Sequence, residues 1–267
     1  ALAQARLRRT RPAGTTTRLL GRAAGVETAL LAAVVLVAAT ITSVTPARLV
    51  PASSLLAAPV GPTVRVAERV RQVSVSAVAS QGRVELHADA PDDGRPLLIG
   101  LTAQQRTPAG RTVPLALTRC GQACWTGPVD WATGGNDLLL QVDAGRWQAG
   151  PTSLPIAWPV TPAPGLLGRV QTAMGARTAI DTVETVTSGF GVVLPSSSRR
   201  TGKDFLSTQP WNEGGATDAV LVGRRTLLFA LPALGYHFTM VLDASDRIVS
   251  ERIVTPNHLL TRHYRYP

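Results

Sequence analysis

Residues 72–89 read QVSVSAVASQGRVELHAD. Two β-forming runs, 72–80 and 83–89, are separated by Gln-Gly, the punctuation of a tight hairpin. The same rhythm extends outward through 96–105, 112–118, 124–131, 137–143 and 152–158. Between these runs lie Pro-Asp-Asp-Gly, Pro-Ala-Gly, Gly-Gly-Asn and Ala-Gly, each suited to a turn or short loop. Asp92 and Asp93 sit in the first of these, where short acidic side chains serve local hydrogen bonds.

Short runs at this spacing predict an immunoglobulin-like β-sandwich over residues 64–160. The rhythm stops at TPAPG, residues 161–165, which reads as a linker. Beyond it Leu166, Leu167, Val170 and Met174 fall at helical spacing, which predicts an amphipathic helix over 164–177. Strand-like runs resume at 180–188, 204–208, 218–222, 226–231, 236–243, 247–255 and 258–264. A helix leading into a meander predicts an α+β module over 166–267, its helix packed on a curved antiparallel sheet.

Before these modules, residues 28–44 form the apolar run TALLAAVVLVAATITSV. With its flanks, 25–45 reaches about 20 residues, enough for a helix to cross a bilayer. Residues 1–27 carry 6 of the 27 basic residues and 1 of the 17 acidic ones, six arginines against Glu27. That bias places a basic segment, 1–24, in the cytoplasm and the rest of the chain outside the cell membrane. A signal peptide is the rival reading, although its apolar centre is normally shorter. Residues 46–63, with four prolines and little charge, read as a tether. The chain begins with Ala1, so the reading includes a longer polypeptide with further membrane helices upstream. After the first 27 residues, 21 basic and 16 acidic residues remain, without a basic run or interleaved aromatics. Nucleic acid is therefore not an expected partner, whereas the lipid bilayer is.

Enzymatic constellations are absent: there is no Gly-x-Ser-x-Gly, His-Glu-x-x-His, phosphate loop or dinucleotide fingerprint. Cys120 and Cys124 stand four apart in TRCGQACW and are expected to form a structural disulfide outside the membrane. Two thiolates binding a soft metal such as Cu(I) are the alternative. The histidines are His87, His237, His258 and His263. His237, His258 and His263 are the candidate metal ligands. On a regular strand His237 faces away from Phe238 and Met240, and His258 and His263 face opposite sides. The tryptophans of the first module, Trp125 above all, are read as core. Arg199, Arg200 and Trp211, in SSSRRTGK and TQPWNEGG, are expected on an exposed partner-contact loop.

The junction LLGRAAGVETALLAAVVLVAATITSVTPAR, residues 19–48, resembles the last membrane helix of the bacterial copper resistance D family. The end, DRIVSERIVTPNHLLTRHYRYP, resembles the closing strands of the extracytoplasmic tail in actinobacterial members, with Arg252, Thr255, Pro256, His258 and Leu259 carrying the match. The middle matches by layout, including the Cys-Gly segment written CGQAC here. The resemblance implies copper as cargo, upstream membrane helices of the same polypeptide, and a periplasmic copper protein as partner. No position in 64–160 matches the histidines of the soluble copper resistance C partner. The expected function is a non-enzymatic, membrane-anchored extracytoplasmic module for partner or metal-chaperone docking. The competing expectation is an envelope protein that binds a small molecule or lipid in a lipoprotein-carrier-like cavity. The two differ in whether the sheet of the second module encloses a hollow.

Overall fold

The computed structural model describes residues 58–89, 100–189 and 191–267. The predicted membrane run, the arginine-rich segment, most of the tether and the Pro-Asp-Asp-Gly turn lie outside the described residues. Among the described residues, no helix is long and apolar enough to cross a membrane.

The first nine strands are β1 (Val64–Val70), β2 (Val73–Ser80), β3 (Arg83–Asp89), β4 (Gly100–Arg106), β5 (Thr112–Pro114), β6 (Thr118–Gly121), β7 (Cys124–Pro128), β8 (Gly134–Asp143) and β9 (Pro151–Trp158). They form two antiparallel sheets, ordered β1-β2-β3-β7-β6 and β5-β4-β8-β9, which face each other as a β-sandwich. The β2–β3 hairpin closes as its Gln-Gly signal requires. Ser80 pairs with Arg83, and Gly82 takes a positive φ of 73° that a side chain would strain. Alternate residues Val73, Val75, Val84 and Leu86 from one sheet meet Leu138, Leu140, Leu154 and Ile156 from the other. At one end the Trp131 indole donates 2.8 Å to the Ser80 carbonyl and stacks on Trp158. The predicted strand 112–118 is divided, because β5 pairs with β4 in one sheet and β6 with β7 in the other. Its chain crosses between sheets, and residue alternation along one strand carries no sign of which partner it will find.

The remaining strands are β10 (Thr161–Pro162), β11 (Ile180–Ser188), β12 (Gly191–Arg200), β13 (Thr217–Val222), β14 (Thr226–Leu231), β15 (Tyr236–Leu242), β16 (Ile248–Val254) and β17 (His258–Arg265). They make one eight-stranded antiparallel sheet, β10-β13-β14-β15-β16-β17-β11-β12. Residues expected as a linker thus contribute its edge, Thr161 opposite Leu221 and Pro162 opposite Val220. An edge strand tolerates proline because half its amides need no partner in the sheet. Helix α1 (Leu166–Gly175) lies where helical spacing predicted it and buries Leu166, Leu167, Val170 and Met174.

Two expectations fail in this half. Residues 204–208, expected as a strand, are helix α2 (Gly202–Ser207) and its C-cap Thr208. Thr201 starts it: its hydroxyl accepts from the Asp204 amide at 3.2 Å and donates to the Asp204 carboxylate at 2.6 Å. This Thr-x-x-Asp cap outweighs a short apolar pattern. Residues 196–200, expected in a loop, lie on edge strand β12, paired with β11 from Ile180–Arg200 onward. A serine-rich edge strand, exposed over residues 195–200, carries little hydrophobic alternation there to reveal it.

One face of the eight-stranded sheet is filled by Phe205, Trp211, Leu227, Phe229, Phe238, Met240 and Ile248 under α1 and α2, with Phe229 and Phe238 stacked at 4.6 Å. The opposite face packs on the sandwich. Every residue of β2 is buried. Val73, Val75, Ala77 and Ala79 face the sandwich core, while Ser74, Ser76 and Val78 face outward toward the second half. The Ser74 hydroxyl donates 2.7 Å to the Thr255 carbonyl, and Arg69 donates 3.2 Å to the Pro256 carbonyl. Val220 and Leu228 join the sandwich's hydrophobic cluster. β14 is accordingly buried on both sides, with Leu227, Phe229 and Leu231 under the helices and Leu228 and Ala230 toward the sandwich.

Two glycines give a contrasting test. A Cβ on Gly202 would overlap the Met174 carbonyl oxygen where α2 abuts the end of α1, whereas one on Gly168 meets nothing within 4 Å. Gly202→Ala is expected to destabilise by about 1–3 kcal/mol, and Gly168→Ala, on an exposed helix position, to stabilise by about 0.5–1 kcal/mol. Denaturant unfolding of the two variants checks both signs.

Candidate functional site

The outward face of the β1-β2-β3-β7-β6 sheet carries polar and ionisable groups where a β-sandwich ordinarily meets water. On β3, Glu85 and His87 point to this face, because Val84, Leu86 and Ala88 take the core. Antiparallel pairing sets His87 directly opposite Cys124 of β7. The His87 Nε2 lies 2.5 Å from Glu85 Oε1, and the donor atoms of Glu85, His87 and Cys124 all fall within 4.8 Å of one another. Among the described residues, this is the grouping of three such side chains with metal-ligand potential. Cys124 is bonded to Cys120 across the β6–β7 hairpin, so the expected disulfide is present. Cys120 occupies a bulge between the Arg119–Trp125 and Gly121–Cys124 pairs, on an edge strand.

Charged pairs continue along the seam between the halves. Arg65 of β1 donates to Asp218 of β13, whose other oxygen accepts from the Thr63 hydroxyl at 2.5 Å. Arg252 of β16 donates to the Glu68 carboxylate and, at 3.3 Å, to the Ala67 carbonyl. Burial would raise the Asp218 carboxyl, but hydrogen bonds from Arg65 and Thr63 and the Arg65 charge hold it below its ordinary range. Burial likewise opposes ionisation of Glu85, yet the His87 hydrogen bond and the charges of His87, Arg83 and Arg65 bring it below the usual value. These carboxylates are paid for by their partners, as buried charges must be.

The histidines predicted as ligands do not converge. His237 lies half-buried on the sandwich-facing side of β15, opposite Ala230 and Val254. His258 is exposed at the start of β17 opposite Ser188, its amide donating 2.9 Å to the Thr255 hydroxyl. His263 is exposed between Val183 and Ser250. His87, not among those candidates, is the histidine brought beside the cysteines. Nothing in the sequence near either residue signals that β3 will pair with β7.

The expected contact loop is also rearranged. Trp211 is fully buried in a 3-10 turn, Pro210–Glu213, with its ring 6.3 Å from Phe205. A bulky indole following proline fills the core under α2 rather than facing a partner. Arg199 is exposed on β12 and donates to Asp181 of β11 at 2.5 and 2.7 Å, while Arg200 donates 3.1 Å to the Thr208 hydroxyl. A second polar cluster lies in the helix-covered core. There Glu251 accepts from the Tyr264 hydroxyl at 2.7 Å and from Arg262 at 3.2 Å, and Arg262 also reaches Glu184. Burial, and then the Glu251 charge, raise the Tyr264 hydroxyl well above its ordinary value. The phenol therefore stays a donor. Glu251 and Tyr264 are buried, Arg262 and Glu184 reach the surface in part, and the cluster ties β11, β16 and β17 together.

No protein-family profile and no curated protein matches the chain. Among solved structures, a DUF4426 family protein from Pseudomonas aeruginosa aligns over 34% of this chain and 94% of its own, at 15% identity and a TM-score of 0.27.

His237 makes the seam sensitive to acid. Burial, the Arg65 charge and the nearby His87 lower it to about 4, partly opposed by a hydrogen bond the imidazole donates to the Gly235 backbone. The folded chain keeps this imidazole neutral while the unfolded chain protonates it near pH 6.5. Stability is therefore complete above about pH 6.5 and falls as pH drops toward 4, by at most about 3 kcal/mol. Thermal melts of the wild type should show that decline between these limits, and His237→Gln should flatten it. An equal decline in both proteins would exclude His237 as the source.

Proposed function

We propose that this chain is a non-enzymatic, membrane-anchored extracytoplasmic module of a copper-transport or copper-resistance-like membrane protein, serving to dock a partner or metal chaperone. The observation that carries the reading is the join between the apolar run and the resemblance: an arginine-flanked apolar stretch, then a tail whose closing sequence resembles that of the copper resistance D family. The matching residues have structural work at the seam. Arg252 pairs with Glu68, the Thr255 hydroxyl accepts from the amides of Asn257 and His258, and the Pro256 carbonyl accepts from Arg69 and Ser74. A tail held in this way is a rigid body suited to presenting a surface.

Within this reading the sandwich is immunoglobulin-like. Strands β2, β3, β7 and β6 take the places of A, B, E and D, and β9, β8, β4 and β5 those of G, F, C and C′. β1 is then an additional N-terminal strand, which meets the second module together with β2.

The carrier-like alternative is disfavoured by packing. Phe205, Trp211, Phe229, Phe238 and Met240 occupy the space between helices and sheet where a lipid cavity would lie, each of them buried.

The test is a chromosomal deletion of the segment encoding residues 58–267, leaving upstream coding sequence in place, with cell-associated copper and copper tolerance measured against wild type. The reading predicts a change in both, restored by the intact gene. Copper content and tolerance indistinguishable from wild type would contradict it.

A further inference from the structure

We propose that Cys120, Cys124, His87 and Glu85 form a thiol-gated site for a thiophilic d10 cation, Zn(II) or Cu(I), closed while the disulfide is intact and opened by its reduction. The inference goes beyond copper docking and does not depend on it. It starts from register: β3–β7 pairing sets His87 opposite Cys124, and strand alternation puts Glu85 on the same face. Sulfur, imidazole nitrogen and carboxylate oxygen then lie within 4.8 Å of one another, with Cys120 covalently attached to the sulfur among them. Tetrahedral ligands with ~2.0–2.3 Å bonds stand roughly 3.3–3.8 Å apart, so Glu85, His87 and Cys124 need only small side-chain rotations, and Cys120 the shift that its bulge allows. Two thiolates, one imidazole and one carboxylate make a complete four-coordinate shell for Zn(II), and the thiolates and imidazole suit Cu(I).

A disulfide sulfur has no thiolate charge to offer a metal, which is the basis of the gate. Opening needs an external dithiol, a small molecule or a thiol oxidoreductase. Its thiolate attacks the Sγ of Cys120, the less buried of the two residues, forming a mixed disulfide and releasing the Cys124 thiolate. Its second thiol then attacks the external sulfur of that mixed disulfide and frees Cys120. One S–S bond breaks in the chain and one forms in the reductant; two electrons and two protons pass to the cysteines. The cation takes the place of the two thiol protons, and His87 Nε2 leaves Glu85 Oε1 to become a ligand. Placement favours the exchange. Cys120 is the bulged residue of an edge strand, where it can shift without breaking the ladder, while Cys124, His87 and Glu85 stay on interior strands. The His87 side chain retains 23% exposure, leaving a route for the ion.

The full chain, purified in detergent and handled anaerobically, tests this in oxidised and dithiol-reduced forms. Co(II) stands in for Zn(II), and Cu(I) is titrated against a chromophoric chelator. The reduced chain is expected to bind one ion, with a thiolate-to-cobalt charge-transfer band, and the oxidised chain to show none. His87→Gln and Glu85→Gln leave the disulfide able to form, and each should weaken binding by at least the ten- to hundredfold that loss of a mere supporting contact costs. Absence of stoichiometric binding after reduction would overturn the proposal. So would affinity unchanged by His87→Gln, which would mean that two thiols bind adventitiously. Loss of the near-ultraviolet signal of the folded chain on reduction would also overturn it, because the site would not survive its own opening. None of these results bears on the copper phenotype of the deletion, so the two readings fail separately.

Discussion

Burial of β2 on both faces is the constraint on which the rest depends. A strand with one wet face alternates core and surface residues; in VSVSAVAS the second set is serine and valine, small enough to lie against another sheet and able to hydrogen-bond across it. Once that face is covered, the groups beside it must be satisfied within the protein. Arg69, Arg65 and Arg252 find carbonyls and carboxylates across the seam, and Glu85 finds His87. The polar seam and the candidate metal site are thus consequences of one packing event.

The same event explains why function does not lie where isolated motifs would put it. Polar groups at this seam are ordered by both halves and partly shielded from water, so pairing and pKa shifts are larger than on an open sheet. His237 shows the effect from the second half, Glu85 from the first. The Glu251, Arg262 and Tyr264 cluster is a different case, since it lies within the second half alone and holds three strands in register.

Much of the architecture was legible in the sequence, for definite reasons. The 2-residue period and turn chemistry gave the hairpin at Gln81-Gly82 and most strands of both halves, and the 3.6-residue period gave α1. The local disulfide was legible because the cysteines are four apart. What escaped was non-local or weakly patterned. β12 is a serine-rich edge, Thr161–Pro162 looked like a linker because prolines usually mark one, and Trp211 looked exposed because glycines follow it. The Thr201-x-x-Asp204 cap was present in the sequence and announces α2. The neighbourhood of His87 and Cys124 was not legible, since it is created by a strand pairing 37 residues apart.

Hydrogen exchange on the whole chain tests most directly the claim that the two halves are one body. Amides of β2 and β14, each buried between layers, should exchange together and only through global opening, with protection that rises and falls in parallel as denaturant is added. Exchange of β14 and its neighbours through a separate, cheaper opening while β2 stays protected would contradict the account, for it would mean that the seam is a loose contact and the outer face of β2 is not a permanent interface.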